Sequence, residues 1–334
     1  MYSPNSFSVQ IANLCIGISG YNDEDSSCLQ ELKRIFSHHE VSPDTTVVHR
    51  VVVCAPRRFK MAPGASLQWV SPCLGVTGST PRRLWSFFTR SQVVPKYSGT
   101  CDVMCYKDAP RQVRYYVPKN AQWRIEHHAD EHITYVYSKK PSDVSDGLSS
   151  LLLHVIGSQY GCYLLFASCV AIDGKALLFT GNGGVGKTTL CMELIKQGAT
   201  YIGDDLVLVY LDGGQPKVGS LLFPVKCYAE GDSSHKKKLD VASQTSQRPP
   251  LNVPLKSIYL LRRTEASNAE SYLQPLQGGT LFEEMLNLTN KANTHANAQR
   301  FVDTMTSICG TVTCGYCHYG KHDKITPSLF ENHD

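Results

Sequence analysis

One run limits this chain more than any other: LLFTGNGGVGKTTLCMELIKQGATYIGDDLVLVY, residues 177–210. Inside it, Gly181-Asn182-Gly183-Gly184-Val185-Gly186-Lys187-Thr188 fits G-x-x-x-x-G-K-[ST], and Thr189 follows directly. Glycines let a backbone curl until consecutive N–H groups aim at one anion. A helix starting at Lys187 or Thr188 adds its N-terminal dipole to the same point. An apolar strand candidate, Ala176–Thr180, precedes the loop, and Gly198 is placed to end the helix after it. The pattern therefore predicts a nucleotide-phosphate loop, with Lys187 as its cation and the Thr188 hydroxyl as a ligand for Mg²⁺.

Two flanking features narrow the type. Tyr163–Ile172 and Ala176–Thr180 read as two strands joined by Asp173-Gly174, the strongest short-range signal for a tight hairpin. Ordinary phosphate-loop enzymes enter the loop from a parallel βαβ unit, which needs a long crossover. Then Gly203-Asp204-Asp205 follows Lys187 after room for only one helix and one short strand. Neighbouring residues on a strand face opposite ways, so the two carboxylates share a site only where the strand ends, with Gly203 as the expected bend. One aspartate, by preference Asp205, is the expected proton acceptor, and Asp204 the expected metal holder.

At these residues the sequence resembles the HPr kinase/phosphorylase superfamily, and within it the HPr-kinase-related kinases that include lasso-peptide kinases. The resemblance is sharp over residues 150–210, looser over 254–288, and topological in the N-terminal part. It implies a phosphoenolpyruvate-carboxykinase-like core with a mixed sheet, ATP and Mg²⁺ as cofactors, and phosphoryl transfer to a hydroxyl, such as a Ser of a peptide or protein. It maps Gly181, Gly186, Lys187 and Thr188 to the family's phosphate loop, and Asp204 and Asp205 to its acidic pair. The family often carries a histidine where this chain has Phe166, and a phenyl ring neither takes nor orients a proton. The glycine-rich, isoleucine-containing segment linked to phosphorylase activity is absent, so neither HPr as acceptor nor the reverse reaction is expected. A nucleotide-binding regulatory protein with little or no transfer, and a small-molecule kinase, are the alternatives.

The remaining sequence sets the frame. The 334 residues hold 33 Lys+Arg against 29 Asp+Glu, with 42% apolar residues. This is globular composition, without the dense basic face of a nucleic-acid binder or a polybasic membrane sensor. The most apolar stretch is broken by Asp173 and Lys175, so no membrane span is expected. An N-terminus without a basic n-region, and an odd count of 13 cysteines, predict reduced thiols in a cytoplasmic protein. The expected class is α+β. A β-rich region over 1–140 would offer acceptor or partner surface, the kinase core would span 141–334, and a homo-oligomer is compatible with both.

Finer expectations follow from pattern. One strand is expected over 7–19, and a helix over 26–36. Residues 228–250, with His235-Lys236-Lys237-Lys238, read as a loop. Thr280-x-x-Glu283 reads as a capping box. His38-His39 and His127-His128 read as surface pairs. Arg262-Arg263 closes a strand, either as a phosphate clamp or as ordinary exposed cations. Cys309, Cys314, Cys317 and His322 have the number of ligands a zinc ion takes, but also read as plain thiols on a strand and turn.

Overall fold

A computed structural model of the chain describes residues 6–21, 26–42, 45–55, 60–72, 102–118, 123–138, 146–221, 225–229, 232–241, 250–264, 271–288, 298–320 and 325–330. The class is α+β. The chain divides into two compact units, with the break in the main run between Tyr160 and Gly161. Among the described residues, no helix is long and apolar enough to cross a membrane.

The first unit contains β1 (Ser6–Ile11), β2 (Leu14–Gly20), α1 (Ser26–Ile35), β3 (Glu40–Val41), β4 (His49–Cys54), β5 (Ser66–Pro72), β6 (Asp102–Asp108), β7 (Val113–Pro118), β8 (Trp123–His128), β9 (Ile133–Ser138) and α2 (Asp146–Tyr160). Its strands form one sheet in the order β3-β1-β2-β4-β9-β8-β7-β6-β5. The expected single strand over 7–19 is a hairpin. Ala12 takes a positive φ of 56°, Asn13 supplies turn chemistry, and Ile11 pairs with Leu14. α2 belongs to this unit rather than to the core expected from residue 141. Its last turn is tied to it: Gln159 Nε2 donates to the Ala129 carbonyl at 2.7 Å, and Tyr160 Oη to the Val48 carbonyl at 2.9 Å.

Two histidines expected at the surface are buried. β8 alternates strictly, so Trp123, Ile125 and His127 point inward while His128 lies across from them, 2.7 Å from Glu126. His39 packs edge-on against Phe36, with Nδ1 3.2 Å from the Gln10 carbonyl oxygen.

The second unit contains β10 (Tyr163–Leu165), β11 (Ala167–Ile172), β12 (Lys175–Thr180), α3 (Lys187–Lys196), β13 (Thr200–Gly203), β14 (Val207–Asp212), β15 (Gln215–Gly219), β16 (Val225–Ala229), β17 (Asp232–Leu239), β18 (Asn252–Arg263), β19 (Tyr272–Pro275), α4 (Gly278–Leu288), α5 (Ala298–Thr311) and β20 (Thr313–Tyr319). The main sheet runs β10-β14-β15-β18-β12-β11-β13, with β20 paired to β18 and β19 to β20. It is mixed: β12, β18 and β20 are parallel neighbours, and most other pairs are antiparallel. The expected hairpin is present. Ile172 pairs with Lys175, and Asp173 and Gly174 have φ of 50° and 72°, the two positive values that a type I′ turn requires.

Three expectations change here. The run 163–172 is two strands, β10 on β14 and β11 on β12, broken at Phe166. The expected loop over 228–250 contains the end of β16 and all of β17, with Lys236, Lys237 and Lys238 in register with Tyr228, Cys227 and Lys226. α4 begins at Gly278, which puts Thr280 within the first turn and not at the cap.

Candidate active site

The phosphate loop joins the end of β12 to the start of α3. Gly186 caps the helix with a φ of 105°, a left-handed conformation that glycine adopts without steric cost. Asn182, Gly183 and Gly184 lie exposed on the crest of the loop, and Val185 is half-buried. The Val185 amide donates to the Asn182 carbonyl at 3.3 Å, closing the curl, and the Leu190 amide donates to Gly186 at 2.9 Å, starting the helix. Lys187 is only 6% exposed. Its Nζ donates to the Gly181 carbonyl at 2.9 Å and the Asn182 carbonyl at 3.0 Å, and lies 4.1 Å from the centre of the Phe166 ring. The lysine is thus folded back over its own loop, with an aromatic face in contact with its charge. Thr189 is exposed next to Thr188.

β13 delivers the acidic pair to the same place. Asp204 is buried at 7% exposure. Thr188 Oγ1 lies 2.9 Å and 3.1 Å from its two carboxylate oxygens and donates to them. Ser168 Oγ, from β11, donates to Asp204 Oδ1 in a short bond. Burial pushes the Asp204 carboxyl above the usual range. The neighbouring Asp205 adds to the shift, while the bonds from Ser168 and Thr188 oppose it. Asp205 is half-buried, and the bend falls on it and not on Gly203. Its φ is 63°, and the Leu206 amide closes a tight turn onto the Asp204 carbonyl at 2.8 Å. That left-handed residue breaks the alternation that would otherwise turn the two carboxylates to opposite faces.

The donor set suits a small hard cation. A carboxylate and a hydroxyl in contact are oxygen ligands of the kind Mg²⁺ takes, one or two from protein and the rest from phosphate and water. Among the described residues, no group of three or more His, Cys, Asp or Glu side chains is arranged to hold a metal.

Ser168 was not singled out from sequence. Its signal is a hydroxyl in the apolar run of β11, buried at 0% exposure. Tyr319 was also missed: its hydroxyl donates to the Val185 carbonyl from the end of β20.

The other sequence candidates stay apart from this cluster. Arg262 pairs with Glu284 at 3.0 Å, its guanidinium 4.9 Å from the Tyr316 ring centre. Cys317 packs with Tyr319 and Leu190 in the core beneath α3. Three residues earlier on the strand, Cys314 faces the other way and donates to the Val312 and Cys309 carbonyls. Burial pushes the thiols of Cys309, Cys314 and Cys317 up to about 12, about 11 and about 12. His322 lies outside the described residues.

Comparison with known proteins finds partial matches. The chain is 34% identical over 79 residues to the HPr kinase/phosphorylase of Limosilactobacillus reuteri, covering 24% of each chain. It is 36% identical over 90 residues to that of Lacticaseibacillus casei, covering 27% of each. With the enzyme of Lactiplantibacillus plantarum it shares 46% identity over 50 residues, 15% of this chain and 16% of the other. Over these segments the chain is similar to HPr kinase/phosphorylases. The matches span about a quarter or less of the length of these curated relatives. No family model matches. Among solved structures, the Hpr(Ser) kinase/phosphatase of Coxiella burnetii aligns at 14% identity and a TM-score of 0.29, over 48% of this chain and 86% of that one.

Proposed function

We propose that the second unit is a kinase core of the phosphoenolpyruvate-carboxykinase-like type, using ATP to phosphorylate a hydroxyl, with a Ser of a peptide or protein as the favoured acceptor. The observation that carries this reading is the convergence of Lys187, Thr188, Asp204 and Asp205 at one loop, from two separate elements, the start of α3 and the turn after β13.

Each side chain has a distinct part. Lys187 leaves the carbonyls of Gly181 and Asn182 for phosphate oxygens, placing its charge on the group being transferred. The loop amides, fixed before the substrate arrives, stabilise the same charge without reorganising. Thr188 and Asp204 would hold Mg²⁺, which when bound neutralises phosphate charge. Ser168 keeps the Asp204 carboxylate turned toward Thr188. Asp205, the less buried of the pair, takes the proton from the acceptor hydroxyl. Acceptor or partner recognition is assigned to the first unit, and buried thiols such as Cys169 and Cys191 suit a reducing, cytoplasmic setting.

A second reading, a regulatory protein that binds nucleotide and transfers little, draws on Phe166, whose ring occupies the lysine where a histidine would otherwise stand. One comparison separates the readings from each other and from error. In Lys187→Ala, ATP affinity and transfer both fall on the order of 10²-fold or more. Unchanged affinity by calorimetry overturns the phosphate-loop reading. Binding without transfer to any hydroxyl acceptor in the wild-type chain favours the regulator.

A further inference from the structure

The C-terminal run Cys314-Gly-Tyr-Cys317-His318-Tyr319 has no metal role among the described residues, yet its last residue reaches the phosphate loop. The sheet register explains how. β12 is paired to β18 with Thr180 opposite Leu260, and β18 is paired to β20 with Leu261 opposite Cys317 and Arg263 opposite Tyr319. All three strands are parallel, so their C-terminal ends lie on one side. β12 stops at Thr180 to enter the loop, and β20 continues far enough to bring Tyr319 beneath it.

The Tyr319 ring is buried with Phe179, Leu190, Leu261 and Cys317, and Val185 packs on the same cluster. Its hydroxyl donates to the Val185 carbonyl. That carbonyl shares a peptide with the Gly186 amide, and the described chain has no cis peptide bonds. In a trans peptide the C=O and N–H point in opposite directions. A carbonyl held down toward the buried ring therefore turns the Gly186 N–H up and out of the core, onto the side of the loop that faces a ligand. Gly186 and Tyr319 also fit as a pair. A Cβ built on Gly186 would collide with the Tyr319 hydroxyl oxygen, so the hydroxyl occupies the space that any other residue's side chain would need.

We infer that Tyr319 is a positioning residue of the phosphate loop, locking the Val185–Gly186 peptide in the orientation that offers an N–H to a bound phosphoryl group. The inference rests on the phosphate-loop reading. It adds a residue about 130 positions away in sequence, on the strand that looked like a metal motif.

The test uses the full chain, ATP and Mg²⁺, with calorimetry and thermal unfolding. Tyr319→Phe keeps the ring and removes the donor. Expected is a loss of ATP affinity of about 5- to 10-fold, the worth of one hydrogen bond, with adenosine binding unchanged and a midpoint shift of no more than about 4 °C. Gly186→Ala in the wild-type background should abolish ATP binding. In the Tyr319→Phe background the same substitution should cost measurably less, because the colliding atom is gone. Unchanged ATP affinity in Tyr319→Phe, or strict additivity in the double variant, overturns the inference while leaving nucleotide binding intact. A wild-type chain that binds no ATP overturns the phosphate-loop reading itself, and this inference with it.

Discussion

Both units bury polar side chains, and the contrast between the two clusters separates framework from chemistry. In the first unit, His49 Nε2 and His127 Nδ1 meet at the Thr134 hydroxyl, 2.8 Å and 2.9 Å away, and the two rings stack at 5.7 Å. His49 Nδ1 reaches the Tyr160 hydroxyl at 3.2 Å, and His132 reaches the same hydroxyl at 2.8 Å. These partners are neutral and belong to one strand layer and one helix end. In the second unit the buried groups are an acid and a base. Asp204 is met by hydroxyls, and Lys187 by two carbonyls of the loop it serves. Charges buried in water-poor surroundings are costly unless paired or used. Histidines that remain neutral avoid that cost, whereas Asp204 and Lys187 carry it, as expected where a charged ligand completes the set.

The largest effect that would test this contrast is on transfer. Asp205→Asn keeps the shape and removes the proton acceptor, so ATP binding should persist while transfer falls by roughly 10²–10⁴-fold. Asp204→Asn should instead raise the Mg²⁺ concentration needed for half-maximal transfer. Measured side by side, a swapped pair of outcomes reverses the two roles. Full activity in both variants removes the chemical cluster from the comparison altogether.

The next effect separates the units by pH. Burial, together with the charge of His132, lowers His49 to about 4. Burial lowers His127 well below its usual range, helped by His49, Arg114, His128 and His132. Unfolded histidines take up protons near pH 6.5, whereas folded His49 does not until near pH 4. The His49 contribution is therefore complete above about pH 6.5 and is lost as the pH falls toward 4, at roughly 1.4 kcal/mol per unit, about 3 kcal/mol across the window, and His127 acts in the same direction. Asp204 acts in the opposite sense. Its folded pKa is raised, so its contribution is present at low pH and lost as the pH climbs through the folded value. Acid should unfold the first unit ahead of the second. Hydrogen exchange resolved by segment at pH 7 and pH 5 checks this. Equal loosening of both units at pH 5, or an unaltered acid response in His49→Gln, would contradict it.

The same contrast explains what was legible in the sequence. The geometry of the candidate site could be read because its signals are local. Glycine spacing, the Asp173-Gly174 turn and the aspartate pair each act within a few residues, and the structure places them in one sheet. The histidine cluster could not, because His49, His127 and Tyr160 meet only after β4, β8 and α2 have assembled. Ser168 and Tyr319 are intermediate cases. Ser168 is a polar group in an apolar run, a visible oddity, and Tyr319 sits beside a cysteine motif, but the partner of each is named only by strand register. The lysine run of β17 misled because its charge suggests a loop, while a two-stranded ladder needs only backbone pairing.

Phe166 gives the smallest effect and the sharpest division between the two functional readings. Its ring lies 4.1 Å from Lys187 Nζ, and its carbonyl accepts the Thr180 hydroxyl at 3.0 Å, so the backbone holds the ring at the base of the loop. A cation–π contact of this kind is worth about 0.5–1 kcal/mol at a partly exposed site. If the lysine must leave the ring to reach phosphate, that energy favours the empty loop, and removing the ring favours the filled one. Phe166→Leu should then tighten ATP binding by about 2- to 5-fold with transfer intact. Phe166→His should increase transfer or shift its pH optimum downward, because an imidazole can share the proton that Asp205 receives. Affinity that weakens in Phe166→Leu would mean the ring keeps its hold on the lysine in the complex. Phe166 would then support the filled loop as well as the empty one, and a lysine still held by the ring would favour the regulatory reading.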